Sequence, residues 1–374
     1  MSAHTLWAER VLTPDGVVTD VSVTLEAGRI TAITPGRLGE AVGPGLLAPG
    51  FVDLQVNGGG GALFNDDPSV ATIATIGAAH RRFGTTGFLP TLISDDLEKV
   101  DAAIAAVEAA IAAGVPGVLG VHLEGPFLEP ARKGVHDPAK FRRLDAELVP
   151  RLTALRGGAT LITLAPEAAD REAIVALRAA GAIVALGHSD ASFESASAAL
   201  AAGAQGFTHL FNAMSPLASR APGMVGAALD HATAWASLIA DGRHVHPAAL
   251  RLAYRALGPE RFVLVSDAMP SVGLDNPKPF LLFGQEVRVD GLSCVTPDGV
   301  LAGANLDMLS AVRVAADALG LSMEKAIPLA AASPSAALGQ RGARGVIAPG
   351  AAADLIVLRD GAVAAAWIAG ARYL

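Results

Sequence analysis

The chain has 374 residues, 52% hydrophobic and 17% charged, with 36 acidic side chains against 28 Lys and Arg and a net charge of −8. This is material for one large domain and a satellite, and it excludes a disordered chain; with no basic block, it also excludes nucleic acid as a partner. A single cysteine, Cys294, rules out an internal disulfide and a thiolate zinc site, so any metal falls to His, Asp or Glu.

In chain order, Met1–Asp15 mixes His4, Glu9, Arg10 and Pro14 and shows no apolar signal region, which predicts a cytoplasmic protein. Residues 5–34 alternate, with turns at Asp15-Gly16 and Ala27-Gly28, as antiparallel strands do. Eight near-continuous apolar runs follow: Phe51–Val56, Thr86–Ile93, Gly117–Leu123, Thr160–Ala165, Ile183–Leu186, Gly206–Leu210, Ala236–Ala240 and Phe262–Val265. Runs of that kind fit parallel strands covered on both faces. Between the second and third, Ser94-Asp95-Asp96 supplies cap chemistry. Leu97, Val100, Ile104, Val107 and Ile111 then share one face, and Gly114 and Pro116 end the helix. The most apolar stretch, Ala102–Leu123, is broken by Glu108, Gly114, Pro116 and Gly117, so no membrane span is expected. Phe280–Leu301 predicts a hairpin inserted after the eighth strand, at about 275–303. Residues 345–374 alternate again around Asp360-Gly361.

Eight strand–helix units predict an α/β protein with a (β/α)8 TIM-like barrel over residues 49–340. Residues 1–48 and 341–374 are expected to pair into a small β-sandwich domain built from both termini. A doubly wound open sheet is the alternative, but its Gly-rich dinucleotide turn is missing.

Barrel enzymes carry their sites at the carboxyl ends of the strands. Here those ends read Gln55-Val56-Asn57, His122-Leu123-Glu124, Gly187-His188-Ser189, Thr208-His209-Leu210 and Ser266-Asp267-Ala268. Glu124, His188 and His209 make a His2Glu set, which with an open position describes a catalytic metal site. A divalent ion so held acidifies a water and polarises a carbonyl. Asp267 is placed to take that water's proton and return it to a leaving group. Each residue alone reads first as a hydrogen-bonded rim residue or a helix cap. Their convergence makes the ligand set.

These motifs, with Pro49-Gly50-Phe51-Val52-Asp53, Lys133-Gly134-Val135-His136, Thr208 to Met214, and Ile239 to His244, resemble the N-acetylglucosamine-6-phosphate deacetylases of the amidohydrolase superfamily, nearly end to end. The resemblance implies hydrolysis of the acetamido bond of N-acetyl-D-glucosamine 6-phosphate to glucosamine 6-phosphate and acetate. By it, Glu124, His188 and His209 match the metal ligands, Asp267 the acid/base, and His136 the group that helps polarise the acetyl carbonyl. Asn212, the Ala213 amide, Arg220 and His244 match residues holding the sugar phosphate, with Arg220 expected to reach a partner subunit's site. Val135 and Leu301-Ala302-Gly303 match backbone contacts. A homodimer is implied.

One departure is informative. Many superfamily members bind a second metal through His-x-His on strand one and a lysine on strand four. This chain has Gln55-x-Asn57, and strand four ends in Ala165-Pro166-Glu167. Neutral amides are poor divalent ligands, so one metal per subunit is predicted, zinc first, with Fe2+ or another divalent ion as alternatives. Gly58–Gly61 lacks the Gly-Lys-Ser/Thr of a phosphate loop and is expected to be a flexible turn. His4, His80, His231 and His246 are expected at the surface or at helix ends. His122 beside Glu124 is a candidate for orienting a ligand. The rival readings are the same reaction on the galacto epimer, another superfamily amide hydrolase, and a sugar-phosphate-binding barrel without chemistry.

Overall fold

The apolar runs become eight parallel strands: Phe51–Val56, Thr85–Ile93, Gly120–Glu124, Ala159–Leu164, Ile183–Leu186, Gly206–Phe207, Trp235–Ile239 and Phe262–Val265. They are called here barrel strands one to eight, and each pairs with the next in one continuous sheet. The computed structural model describes residues 3–374. Every residue of strands one, two and three is buried, because side chains fill the interior while helices cover the outside. Strand six is shorter than its apolar run. The chain leaves the ladder after Phe207 and turns His209 over the barrel mouth.

The barrel closes without a ladder. Strands eight and one share a single parallel bridge, Val56 to Ala268. Just above it, the amides of Asn57 and Gly58 both donate to the Ala268 carbonyl, at 3.0 and 2.9 Å.

The helix after strand two spans Leu97–Ala112 and buries Leu97, Val100, Ile104 and Val107 as its stripe predicts. Its cap differs from expectation. Asp96 occupies the N-cap, but its carboxylate makes no cap bond. It pairs instead with the Lys140 ammonium, brought in by the loop after strand three. Ionic pairing outcompetes the weaker bond to a helix amide.

Strands from both ends of the chain do join, but as one eight-stranded sheet rather than two. His4–Thr13, Gly16–Glu26 and Arg29–Pro35 form its amino-terminal arm, with the short Glu40–Ala41 beside the first of them, and Leu355–Arg359, Ala362–Ile368 and Ala371–Arg372 its carboxyl-terminal arm, joined through Leu46–Pro49. The edge strand Arg29–Pro35 also meets the segment leading into Leu355–Arg359, for the Ile30 amide donates to the Ala351 carbonyl at 2.8 Å. Leu6, Val23, Ile30, Leu47, Leu355 and Trp367 fill a core separate from the barrel's. The insertion is also larger than a hairpin. Phe280–Leu282, Gln285–Asp290, Ser293–Val295 and Leu301–Ala304 make a four-stranded sheet. Leu282, Val287, Cys294 and Ala302 pack there against Ile93 and Met269, so the insertion roofs the barrel mouth.

Candidate active site

Glu124 is the last residue of strand three. His188, His209 and Asp267 each lie two residues beyond a strand end. All three have left-handed backbones, with φ of 48°, 35° and 50°. Non-glycine residues in that region cost on the order of 1–3 kcal/mol each and persist where surrounding structure over-determines them. The turn swings each side chain over the barrel axis, where Glu124, His188 and His209 are 2%, 5% and 4% exposed.

There the Glu124 Oε1 lies 2.9 Å from His209 Nε2 and 3.1 Å from His188 Nε2, and the two Nε2 atoms are 3.1 Å apart. The Nδ1 of His188 is 2.9 Å from the Arg132 carbonyl. A carbonyl only accepts, so Nδ1 carries the proton and Nε2 turns a lone pair toward the cluster. That lone pair faces a carboxylate oxygen at 3.1 Å, which repels it unless a cation lies between them. This donor set therefore fits a divalent ion, and among the described residues it is the one group of its kind.

Gln55 and Asn57 occupy the place of a second metal site. Gln55 Nε2 donates to Glu124 Oε2 at 2.9 Å and to Asp267 Oδ1 at 3.2 Å. Asn57 Nδ2 donates to the same Asp267 oxygen at 2.7 Å. The amides thus grip the two carboxylates as donors, where a second cation would require lone pairs. Burial, then the Glu124 charge, push the Asp267 carboxyl up to about 6. That is a useful value for a group that takes and returns a proton near neutrality.

His136 comes from the loop after strand three. Its Nδ1 lies 2.8 Å from Ser94 Oγ and accepts the Ser94 amide at 3.4 Å, which leaves Nε2 as the protonated nitrogen. Burial, then His188, lower its pKa to about 3, so the ring is a neutral hydrogen-bond donor. His244 Nδ1 is 2.6 Å from Asp241 Oδ2, which also accepts from Ser293 Oγ of the insertion at 2.6 Å. Asp241 and Ser293 were not singled out from the sequence, and Ser94 only as helix-cap chemistry. Only Asp241, three residues before His244, left a local signal.

Burial works against the Asp241 charge, and the His244 ring, the Ser293 hydroxyl and the Arg243 amide overcome it, holding the carboxyl down at about 2 against an ordinary 3.8. A depressed carboxylate stabilises the fold above its unfolded value, and that contribution is lost as pH falls through the folded value. Asp241→Asn should therefore cost about 2 kcal/mol of unfolding free energy at pH 5, with the gap to wild type narrowing from pH 4 toward 2. Urea unfolding across that range checks it; a constant gap would count against the pairing.

Glu124, His136, His188, His209 and Asp267 line a cavity of about 460 Å3 with Asn57, Val135, Asn212, Ala213, His244, Leu301, Ala302 and Gly303. Every candidate except Arg220 is there. Arg220 is exposed and lies outside this chain's own cavity lining. A wider cleft, about 1010 Å3, opens around Arg178, Trp235 and Arg344 at the opposite end, and no carboxylate lines it.

Three expectations change. His80 lies at a helix end as expected, in the last turn of Val70–Arg81, but it is fully buried rather than superficial; its Nε2 lies 2.9 Å from the Gly58 carbonyl. Gly58–Gly59 is not a loose turn but pairs with Ala62–Leu63. A Cβ on Gly59 would sit 2.9 Å from the His80 ring, and one on Gly58 2.5 Å from the Ala62 carbonyl, so close packing requires glycine at both. His122 does not touch the ligands. It bonds Thr91 and Thr163, at 3.3 and 2.8 Å, in a polar layer below them.

Comparison with known proteins agrees with this geometry. The Amidohydrolase family profile matches residues 46–372. The chain is 45% identical over 359 residues to the N-acetylgalactosamine-6-phosphate deacetylase of Shewanella sp. (strain ANA-3), covering 95% of this chain and 89% of the relative. It is 40% identical over 344 residues to the N-acetylglucosamine-6-phosphate deacetylase of Bos taurus, covering 87% and 82%. The solved structure of an aspartate-to-alanine variant of the Mycobacterium smegmatis N-acetyl-D-glucosamine-6-phosphate deacetylase, in complex with N-acetyl-D-glucosamine 6-phosphate, superposes with a TM-score of 0.90 at 31% identity, over 100% of this chain and 99% of that one. With the matched segment spanning most of its length, the chain belongs to the amidohydrolase family.

Proposed function

We propose that the protein hydrolyses the N-acetyl group of N-acetyl-D-glucosamine 6-phosphate, releasing acetate and glucosamine 6-phosphate in amino-sugar catabolism. The observation that carries this reading is the grouping of Glu124, His188 and His209 beside an amide-held Asp267 in one cavity. One divalent cation held by the three ligands would polarise the acetyl carbonyl and acidify water; zinc suits one carboxylate and two imidazoles, with Fe2+ or another divalent ion as alternatives.

The chain's own groups divide the remaining work. The Asp267 carboxylate takes a proton from the attacking water and returns it to the departing amine, otherwise a poor leaving group. His136 Nε2–H donates to the acetyl oxygen as negative charge grows there. Asn212, the Ala213 amide and His244 bind the sugar phosphate, and Val135, Leu301, Ala302 and Gly303 offer backbone contacts. Remote binding of the phosphate then orients the scissile bond.

Arg220 is assigned to the phosphate of a partner's site in a homodimer. Its exposure supports an outward reach, and Leu217 beside it is 58% exposed. Arg220→Ala should raise KM for the 6-phosphate about tenfold or more and leave turnover of unphosphorylated N-acetylglucosamine unchanged. An equal loss on both substrates would remove Arg220 from phosphate recognition. A phosphate ester does not cross a bilayer unaided, which supports a cytoplasmic setting for the reaction. Among the described residues no helix is long and apolar enough to cross a membrane.

A second reading is the same reaction on the galacto epimer. It is favoured by the 45% identity to the Shewanella relative against 40% to the Bos taurus one. Acetate release from the two epimeric 6-phosphates, compared by kcat/KM, decides between them. Release from neither overturns the function.

A further inference from the structure

We propose that Asp53 is a positioning residue for Asp267, locking the seam of the barrel where strands eight and one meet without a ladder. This rests on Asp267 being the proton-transferring group.

Asp53 points into the barrel one layer below Gln55 and is wholly buried. Its three hydrogen-bond donors are all neutral: Ser266 Oγ at 2.5 Å on Oδ2, and the Ser266 and Gln55 amides at 3.2 Å on Oδ1. Burial pushes its carboxyl up to about 7. A carboxyl without a cation is a costly way to fill a core position, so packing alone does not account for it.

Its partners do. Below the Val56–Ala268 bridge, Asp53 ties strand one to strand eight. Ser266 immediately precedes Asp267, and the Ser266 hydroxyl also accepts the Ala268 amide at 3.2 Å. Both neighbours of Asp267 are thereby fixed, as its φ of 50° requires. On its own strand Asp53 holds the amide of Gln55, whose side chain grips Asp267 and Glu124. One carboxyl thus sets the backbone under the acid/base and the amide above it.

The test is a set of variants assayed for acetate release, metal content and thermal unfolding. Asp53→Ala should lower kcat about 10- to 100-fold, with KM and metal content within about twofold of wild type. Asp53→Asn should recover to within about fivefold of wild type, because its carbonyl still accepts both amides and Ser266 can reverse its bond. In an Asp267→Asn background, Asp53→Ala should cost less than about twofold more, since nothing remains to be positioned. If Asp53→Ala does not fold, Ser266→Ala decides, with an expected fall in kcat of about 3- to 10-fold at unchanged KM. Unchanged kcat in the deciding variant overturns the proposal. So does a loss that persists at full size without Asp267, or lost metal in step with lost activity. A wild-type protein releasing no acetate would instead overturn the deacetylase reading.

Discussion

Replacing Asp267 with Asn lowers kcat about a thousandfold, within the range for losing a positioned acid/base, while metal content and KM stay near wild type. The asparagine keeps an oxygen that accepts from Asn57 and Gln55, as the carboxylate does, so the architecture survives and only proton transfer is lost. The pH profile gives a second check. The carboxyl must be ionised to accept the water's proton, so wild-type kcat/KM falls as pH drops through its pKa. Burial and the Glu124 charge raise that value to about 6, and a cation beside Glu124 brings it back down by favouring the ionised form. The acid limb therefore lies at or below pH 6 and disappears in the variant. Near-normal turnover in Asp267→Asn would remove the residue from the chemistry.

Glu124→Gln should lose both metal and activity. The change keeps shape and still offers Gln55 an acceptor, but it removes the charge that two imidazoles face within 3.1 Å. Bound metal should fall from one per chain to a small fraction. Turnover should drop about a thousandfold or more, the several kcal/mol that a Lewis acid contributes. Chelation of the wild type should reproduce the loss, and a divalent salt should restore it there but not in the variant. A Glu124→Gln protein with full metal content and turnover would show that the cluster is only a buried hydrogen-bonded network.

The barrel was legible because strands covered on both faces write themselves as near-continuous apolar runs, as in Ile183–Leu186 and Phe262–Val265. Their carboxyl ends then named the ligands. Contacts between residues far apart in sequence were not legible. Ser94 meets His136, and Ser293 meets Asp241, across 42 and 52 residues, with no periodicity to announce either pair. The Asp96 cap failed for the same reason, since Lys140 lies 44 residues away. Left-handed backbones at His188, His209 and Asp267 are equally silent, because His and Asp, though enriched among non-glycine residues there, adopt that conformation only in a small minority of positions. His80 followed a helix-end pattern yet is buried, since the Gly58 carbonyl gives its ring a partner inside. The terminal strands showed their alternation, but alternation does not say whether strands close as one sheet or stack as two.

The proposed reaction rests on a single cation per chain working beside Asp267. Stripping the protein of metal and titrating a divalent ion back, with acetate release from the sugar 6-phosphate read at each addition, tests it directly. Activity should be absent at the start and should rise linearly to a plateau at one equivalent. Full activity in the stripped protein, or a plateau reached only at two equivalents, would contradict it.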